Sequence, residues 1–414
     1  MGSNLPDLLR VYYQRLFPYN EYYRWLSYGN GQLFSRREFS FTVEDDVYIR
    51  FQAFKNLNQL MTEMKRLNPH KIDIGAVYNV PPTEHKYDTK FFPIEKELVF
   101  DIDMTDYDEV RTCCSGADIC SKCWKYMAIA CKVIDSSLRE DFGFNHILWV
   151  FSGRRGIHCW VCDKRARSLN PAARSSVAEY LQLIRGGAYS KKKVMLRYKT
   201  HHSVERALGI IKSVFVPMCV IEQNMLGTEE NINKFLEIIH TEDEVRVDVR
   251  NLLNKYSTSE KRWEAFQEYY IKQLQSQSGS KKWRTRNLIE EIMIQYSYPR
   301  LDIHVSKTLN HLLKSPYCVH PKTTKVCVPF NPKTVDNFDP HSVPTIQTLI
   351  NEVDAYDAKE LARQKDESVD VRKIKDYKKT AMNKSLHIFL EFLRNLEDSN
   401  REEKTTQNDT QMEF

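Results

Sequence analysis

Leu98-Val99-Phe100-Asp101-Ile102-Asp103-Met104 is the stretch from which the rest of the chain is read. An extended strand turns successive side chains to opposite faces. Leu98, Phe100, Ile102 and Met104 therefore share an apolar face, the one a sheet buries, and Asp101 and Asp103 share the other. Their Cα atoms stand roughly 6.6–7 Å apart along such a strand. Two carboxylates held that close repel each other unless a cation sits between them. Hard oxygen ligands select Mg²⁺ or Mn²⁺, and acids carrying divalent ions are a seat of phosphoryl transfer. An Asp-x-Asp alone is more often two solvated acids at a strand end. The clean alternation and strong β-formers here bring the metal reading level with that one.

The chain has 414 residues, enough for two or three domains or for one large domain with an insertion. Hydrophobic residues make up 42% and aromatic residues 12%, the mark of a folded protein. Its net charge of +6 fits a nucleotide or nucleic-acid partner without requiring one. No run approaches the ~20 apolar residues of a membrane span. The N-terminus lacks an apolar signal core, and Pro6 breaks the myristoylation pattern. Cytosol or nucleus is the expected location; Lys191-Lys192-Lys193 is the nearest thing to a basic localisation cluster. The ten cysteines, in a reducing compartment, argue against a disulfide framework.

Outward from the aspartate strand, residues 7–28 carry a helical pattern and 37–51 alternate like a hairpin. Strands are expected at Ile72–Tyr78 and Glu97–Met104, with a helix over 121–140. Leu148–Phe151 and Ile157–Val161 read as paired strands, followed by a helix near 171–185. From 186 to 285 the apolar spacing becomes helical, which reads as an inserted helical subdomain closed by a polar loop from Gln273 to Ser280. Strand-like runs return at Leu301–Val305 and Val326–Pro329. A helix covers 346–366, a charged and mobile stretch 367–380, and an amphipathic helix 384–397. The expected division is thus 1–185, 186–285 and 286–397, with 398–414 a disordered polar tail.

Three further constellations carry chemistry. Ser152-Gly153-Arg154-Arg155-Gly156-Ile157-His158 sets two guanidiniums in a glycine-flanked turn ahead of a histidine. Adjacent arginines grip polyphosphate oxygens in bidentate fashion; the plainer alternative is a basic hairpin tip in solvent. Cys113, Cys114, Cys120 and Cys123 are four soft ligands in a short span, best read as a structural Zn²⁺ site without an open position. A buried reduced cluster is the alternative. The scattered Cys159, Cys162, Cys219, Cys318 and Cys327 read as small core residues. Downstream, Asp302 on a strand-like run offers a third acid, and Lys314 and His320 offer more cation for a phosphate cradle. By pattern alone Asp302 is equally a plain structural acid. Asp106 and Asp108 read as solvated.

These blocks together resemble the small catalytic subunit of eukaryotic DNA primase, in the archaeo-eukaryotic primase superfamily. The resemblance is carried by Tyr-Tyr-x-Arg-Leu-Phe-Pro-Tyr at 12–19, Arg-Glu-Phe-Ser-Phe-Thr at 37–42, Lys-Ile-Asp-Ile-Gly-Ala-Val-Tyr at 71–78 and Glu-Leu-Val-Phe-Asp-Ile-Asp-Met-Thr-Asp-Tyr-Asp at 97–108. The cysteine cluster, the Ser152–Asp163 block, Pro299–Asp302 and Asn310–Lys322 continue it. It implies an α/β (α+β) protein with the two-lobed prim fold, mixed sheets forming the catalytic cleft, an inserted helical subdomain and a zinc motif. It further implies that Asp101, Asp103 and Asp302 hold two Mg²⁺ or Mn²⁺, and that Ser152, Arg154, Arg155, His158, Lys314 and His320 bind the triphosphate. Arg50, Lys71 and Asp73 match positions lining the nucleotide and sugar site, and Cys113, Cys114, Cys120 and Cys123 match the zinc ligands.

The implied function is DNA-templated synthesis of short RNA primers from ribonucleoside triphosphates, in the nucleus. The implied partners are a single-stranded DNA template, an RNA primer, NTPs, an iron–sulfur large subunit forming a heterodimer, and DNA polymerase α, with no membrane. No Fe–S cysteine set stands out in this chain, so that cofactor is expected in the partner. The rivals are a primase-polymerase or repair polymerase of the same superfamily, a metal-dependent glycosyltransferase, and a zinc-stabilised nucleic-acid-binding subunit without activity.

Overall fold

The computed structural model describes residues 4–87, 89–184, 192–239, 241–276, 283, 286–364 and 374–412. The chain divides into two compact units. One comprises Met1–Asp101, Phe144–Ser176 and Asp302–Phe414; the other comprises Ile102–Gly143 and Val177–Leu301.

The first unit carries two sheets. Strands β1 (Arg37–Thr42), β2 (Tyr48–Gln52), β3 (Lys71–Tyr78) and β4 (Pro93–Glu95) run in the order β2-β1-β3-β4. Strand β5 is Leu98–Asp103, β6 Ile147–Phe151, β7 Gly156–Val161, β8 Leu313–Lys314 and β9 Pro329–Phe330. Strand β8 adds to β3, and the second sheet runs β5-β7-β6-β9. The β1–β2, β1–β3, β3–β8, β6–β7 and β6–β9 pairings are antiparallel. Phe39, Phe41, Ile72 and Ile74 are wholly buried in the first sheet, as are Trp149, Phe151, Ile157 and Trp160 in the second. Trp25 of the helix Tyr19–Ser27 meets Trp160 edge-on at 5.4 Å and Phe389 at 6.0 Å, which pins the C-terminal helix to the second sheet.

The second unit is helical. Its longest helix, Ser121–Glu140, buries Tyr126, Met127, Cys131, Ile134 and Leu138 and packs on the helix His202–Phe215. Helices Glu229–Ile238, Asp243–Leu253, Ser259–Gln275 and Leu288–Ser297 also belong to it. Trp263 is their wholly enclosed centre, 5.2 Å from the ring of Phe215 and 6.4 Å from that of Phe235.

Two divisions differ from the sequence-based ones. The cysteine segment does not group with the N-terminal catalytic residues but with the helices, because Ser121–Glu140 buries its apolar face against a helix far along the chain. The tail from residue 398 is not the expected disordered stretch, since the last helix runs Met382–Met412. That stretch lacks Pro and Gly and has Glu402, Glu403 and Lys404 as good helix formers. The segment 367–380 lies outside the described residues up to 373; its end forms a helical turn, Asp376–Lys379. Part of the Gln273–Ser280 loop, and Lys191, also lie outside them.

Candidate active site

Strand β5 ends in the two acids. Asp101 and Asp103 are half-buried while Ile102 between them is fully buried, so the alternation read from the sequence is present. Within the first unit, Asp101 meets groups from two other segments. His158 on β7 brings its Nε2 to 3.5 Å from the Asp101 carboxylate. The backbone N–H of Asp302 donates to the Asp101 carbonyl at 3.4 Å.

Asp302 is not on a strand, as its run suggests. It is the N-cap of a short helix, Ile303–Lys307, and its carboxylate accepts from the His304 N–H at 3.1 Å. Aspartate is among the best N-caps because its side chain accepts from the helix's first orphan N–H groups. Asp103 likewise caps the next turn, accepting from the Thr105 N–H at 2.8 Å and its hydroxyl at 2.6 Å. Asp101 and Asp302 thus adjoin within the first unit, and Asp103 follows Asp101 by two residues, just past the unit boundary. Their donors are all oxygen, the chemistry Mg²⁺ or Mn²⁺ takes, although the only described groups that close to metal-binding distance are the four cysteines.

Sequence reasoning gives His311 no role, although it lies inside the Asn310–Lys322 block. Its carbonyl accepts from the buried Lys96 ammonium. Burial and Lys96 push its ring toward the neutral form, against the pull of Asp302, Asp101 and Asp73. Behind Lys96 stands a wholly enclosed ion pair, Arg37 to Glu97 at 2.8 Å, with the Tyr28 hydroxyl donating to Glu97 at 2.6 Å. Burial alone would raise the Glu97 carboxyl; Arg37 and Tyr28 outweigh it and hold it at about 2.

The arginine turn joins β6 to β7. Ser152 closes it twice: its N–H donates to the Gly156 carbonyl at 3.0 Å, and its Oγ accepts from the Gly156 N–H at 3.0 Å. Gly153 sits at φ +91°, and a Cβ there would lie 2.6 Å from the His320 Cβ. Only glycine combines that backbone with that approach. Lys314 donates to the Ser152 carbonyl at 3.2 Å, and the Thr323 hydroxyl donates to the Gly153 carbonyl at 2.7 Å. Burial first, and then Lys314, Arg154, Lys322 and Arg155, push the His320 imidazole down to about 4. Burial more than charge keeps His320 neutral, and the four cations around it give the turn a positive face. Lys322 and Thr323 adjoin this turn without a role assigned from the sequence, although Lys322 closes the Asn310–Lys322 block.

Of the other positions that the resemblance gives to the nucleotide, Asp73 stands opposite Lys314 across β3 and β8. The Lys71 ammonium lies 3.0 Å from the Asp73 carboxylate, which outweighs burial and raises its pKa. Arg50 instead reaches Glu38 on β1 at 3.0 Å, where the Tyr78 hydroxyl also donates. Nothing in the sequence pattern points to that pairing.

In the second unit, the Sγ atoms of Cys113, Cys114, Cys120 and Cys123 all lie within 4.8 Å of one another, with Cys120 and Cys123 at 3.9 Å. A tetrahedron of sulfurs ~2.3 Å from zinc has edges of about 3.8 Å, so the four fit one Zn²⁺. N–H donors surround them: Gln223 Nε2 reaches Cys113 at 3.3 Å, and the Cys120 N–H reaches Cys123 at 3.2 Å. Such donors stabilise thiolate sulfur. Gln223 lies far along the chain, and nothing in the spacing points to it. Cys159, Cys162, Cys219, Cys318 and Cys327 are buried, as expected. Asp108 is not simply solvated: it accepts from the Arg111 guanidinium at 2.6 Å and the Gly116 N–H at 2.9 Å, bracing the cysteine loop.

Residues 100–332 match the family model described as the DNA primase small subunit. The DNA primase small subunit of Drosophila melanogaster is 46% identical over 407 residues, covering 96% of this chain and 92% of that protein. That of Schizosaccharomyces pombe is 41% identical over 369 residues, with 85% and 79% covered. That of Saccharomyces cerevisiae is 35% identical over 362 residues, with 85% and 87% covered. Among solved structures, the polymerase domain from Mycobacterium tuberculosis ligase D in complex with DNA aligns over 83% of this chain and 90% of that chain. Its TM-score of 0.36 and 10% identity are too distant to bear on the chemistry. Identity sustained along nearly the whole chain, and not confined to the acids and the arginine turn, makes this protein a member of the DNA primase small-subunit family.

Proposed function

We propose that the chain is the catalytic subunit of a primase, a DNA-directed RNA polymerase that builds short primers on single-stranded DNA from ribonucleoside triphosphates. The observation that carries this reading is the meeting of Asp101, His158 and Asp302 in the unit that also holds Arg154, Arg155, Lys314, Lys322 and His320. The cations and His320 take the triphosphate, with bidentate guanidinium contacts fixing its orientation. Ser152 and Gly153 hold the turn that presents them. Asp101, Asp103 and Asp302 are the residues that would hold Mg²⁺ or Mn²⁺. When bound, the two ions supply acidity to the primer 3′-hydroxyl and neutralise charge on the departing pyrophosphate. Transfer needs no covalent enzyme intermediate, so neither a serine nor a cysteine nucleophile is required beside Asp101.

The cysteine cluster supports a structural zinc role. Membership of the family supports assembly with a large subunit. We extend this to the iron–sulfur large subunit and DNA polymerase α as partners, and to the nucleus as location. A glycosyltransferase does not account for the arginine turn. A binding subunit without activity does not account for acids beside a phosphate cradle. A repair polymerase is not favoured by relatives that are primase small subunits over nearly their whole length.

The test is primer synthesis by the purified chain on a single-stranded template with NTPs and Mn²⁺. Templated, ribonucleotide-dependent product supports the reading, and absence of product at any metal concentration overturns it.

A further inference from the structure

In the second unit, residues 192–201 cross the surface without regular structure but are pinned from below. The Lys193 N–H donates to Gln295 at 3.0 Å, the Leu196 N–H donates to Glu291 at 2.8 Å, and Asn287 Nδ2 donates to the Arg197 carbonyl at 2.7 Å. Val194 is buried beneath. All three anchoring side chains belong to the helix Leu288–Ser297 or its N-cap, so the segment is a fixed platform.

What it displays is unusual for a surface. Tyr198 is 80% exposed and Met195 76%. Arg197, Lys199 and Arg286 are exposed, and none has a carboxylate partner among the described residues. Arg286 lies 5.7 Å from the Tyr198 ring centre, so guanidinium and aromatic face already adjoin. Glu205, the nearest acid in sequence to Lys199, accepts from the Thr200 hydroxyl at 2.9 Å, and Glu290, the nearest to Arg286, pairs with Lys212 at 3.2 Å.

We propose that Arg197, Tyr198, Lys199 and Arg286 form a binding surface for single-stranded DNA, the cations meeting phosphates and Tyr198 stacking on a base. Unpaired cations flanking an exposed ring are what a single strand needs, since every base has a stacking face and every linkage a charge. The pinned backbone means the strand meets groups already in place. This rests on the reading that the chain copies DNA, and it adds a binding surface that no motif of the sequence suggests.

The test uses the full chain and labelled oligothymidylate, followed by fluorescence anisotropy across a salt series. Tyr198→Ala should weaken binding about ten-fold, while Tyr198→Phe, which keeps the ring, should bind like wild type. The triple variant Arg197→Ala/Lys199→Ala/Arg286→Ala should flatten the slope of log affinity against log salt by about 2, at ~0.7 for each phosphate no longer neutralised. ATP binding and the unfolding midpoint should stay unchanged in each. Wild-type affinity and slope in the triple variant would overturn the proposal, as would equal loss in Tyr198→Phe and Tyr198→Ala. Primer extension by the same preparations separates the two readings. Extension by wild type with unaltered variant binding defeats this surface alone; no extension by wild type defeats the function as well.

Discussion

The backbone N–H of Asp302 donates to the carbonyl of Asp101 at 3.4 Å, although the helical insertion lies between them in sequence. That bond sets the start of a short helix against the acid-bearing strand. It makes the third acid a matter of backbone placement and not of side-chain reach.

Asp302→Ala should therefore lose primer extension by at least about a hundred-fold, on the scale of several kcal/mol for charge held at a metal. The unfolding midpoint should move little, since losing one N-cap costs about 1 kcal/mol. Asp106→Ala is the comparison and should keep most activity. Near-normal extension by the Asp302 variant with Mg²⁺ would remove it from the site.

Gly153→Ala tests the cradle. The added methyl meets His320 at 2.6 Å on a backbone at φ +91°, so the turn or His320 has to move. A stability loss of roughly 1–3 kcal/mol and a ten-fold or greater loss of NTP affinity are expected together. Intact affinity, read by nucleotide titration, would show that the turn does not depend on its approach to His320.

Glu97 makes the fold acid-sensitive in a stated window. Its carboxyl ordinarily titrates near 4.5 and is held at about 2 in the folded chain. The stability it contributes is complete above pH 4.5 and is lost as pH falls toward 2. Glu97→Gln should cost about 3–5 kcal/mol at neutral pH, because Arg37 is left buried and unpaired. Replacing both partners by apolar residues of similar size should cost much less and flatten the acid limb. Denaturant midpoints between about pH 6 and pH 3 read both effects, and an unchanged acid limb in the double variant would refute the assignment.

Cys120→Ser should lower zinc content and stability together while leaving NTP titrations unaltered. Elemental analysis of pure wild-type protein is the deciding measurement: folded chain without zinc ends the structural-zinc reading.

Local chemistry is the legible part. The hairpin, the aspartate strand, the β6–β7 turn and the helix from Ser121 all lie where alternation and glycine spacing put them, because each is decided by neighbours in sequence. Asp302 is misplaced by pattern because Leu301–Val305 alternates too briefly to outweigh the capping preference of an aspartate. Arg50 is given its place at the nucleotide by the resemblance alone, and nothing local announces its ion pair with Glu38 across the strand. Lys96, His311 and Gln223 act through partners distant in sequence, and the grouping of the cysteine segment with the helices depends on equally non-local packing. The tail misleads in the other direction: polar composition suggests disorder, whereas helix propensity alone favours continuation.

The assembly of the first unit from three stretches of chain has a consequence during synthesis on the ribosome. Strands β3 and β6 are made early, but β8 and β9, which pair with them, lie well over a hundred residues further along the chain. Until then both sheets present unmatched edges, which attract other extended chains. On the proposed site, a nascent or truncated polypeptide ending before Asp302 would lack activity, and its open sheet edges would make it adhesive. It lacks an acid, two cradle cations and two edge strands at once, so partial copies of this protein are matter for chaperones and proteases and not half-active polymerases.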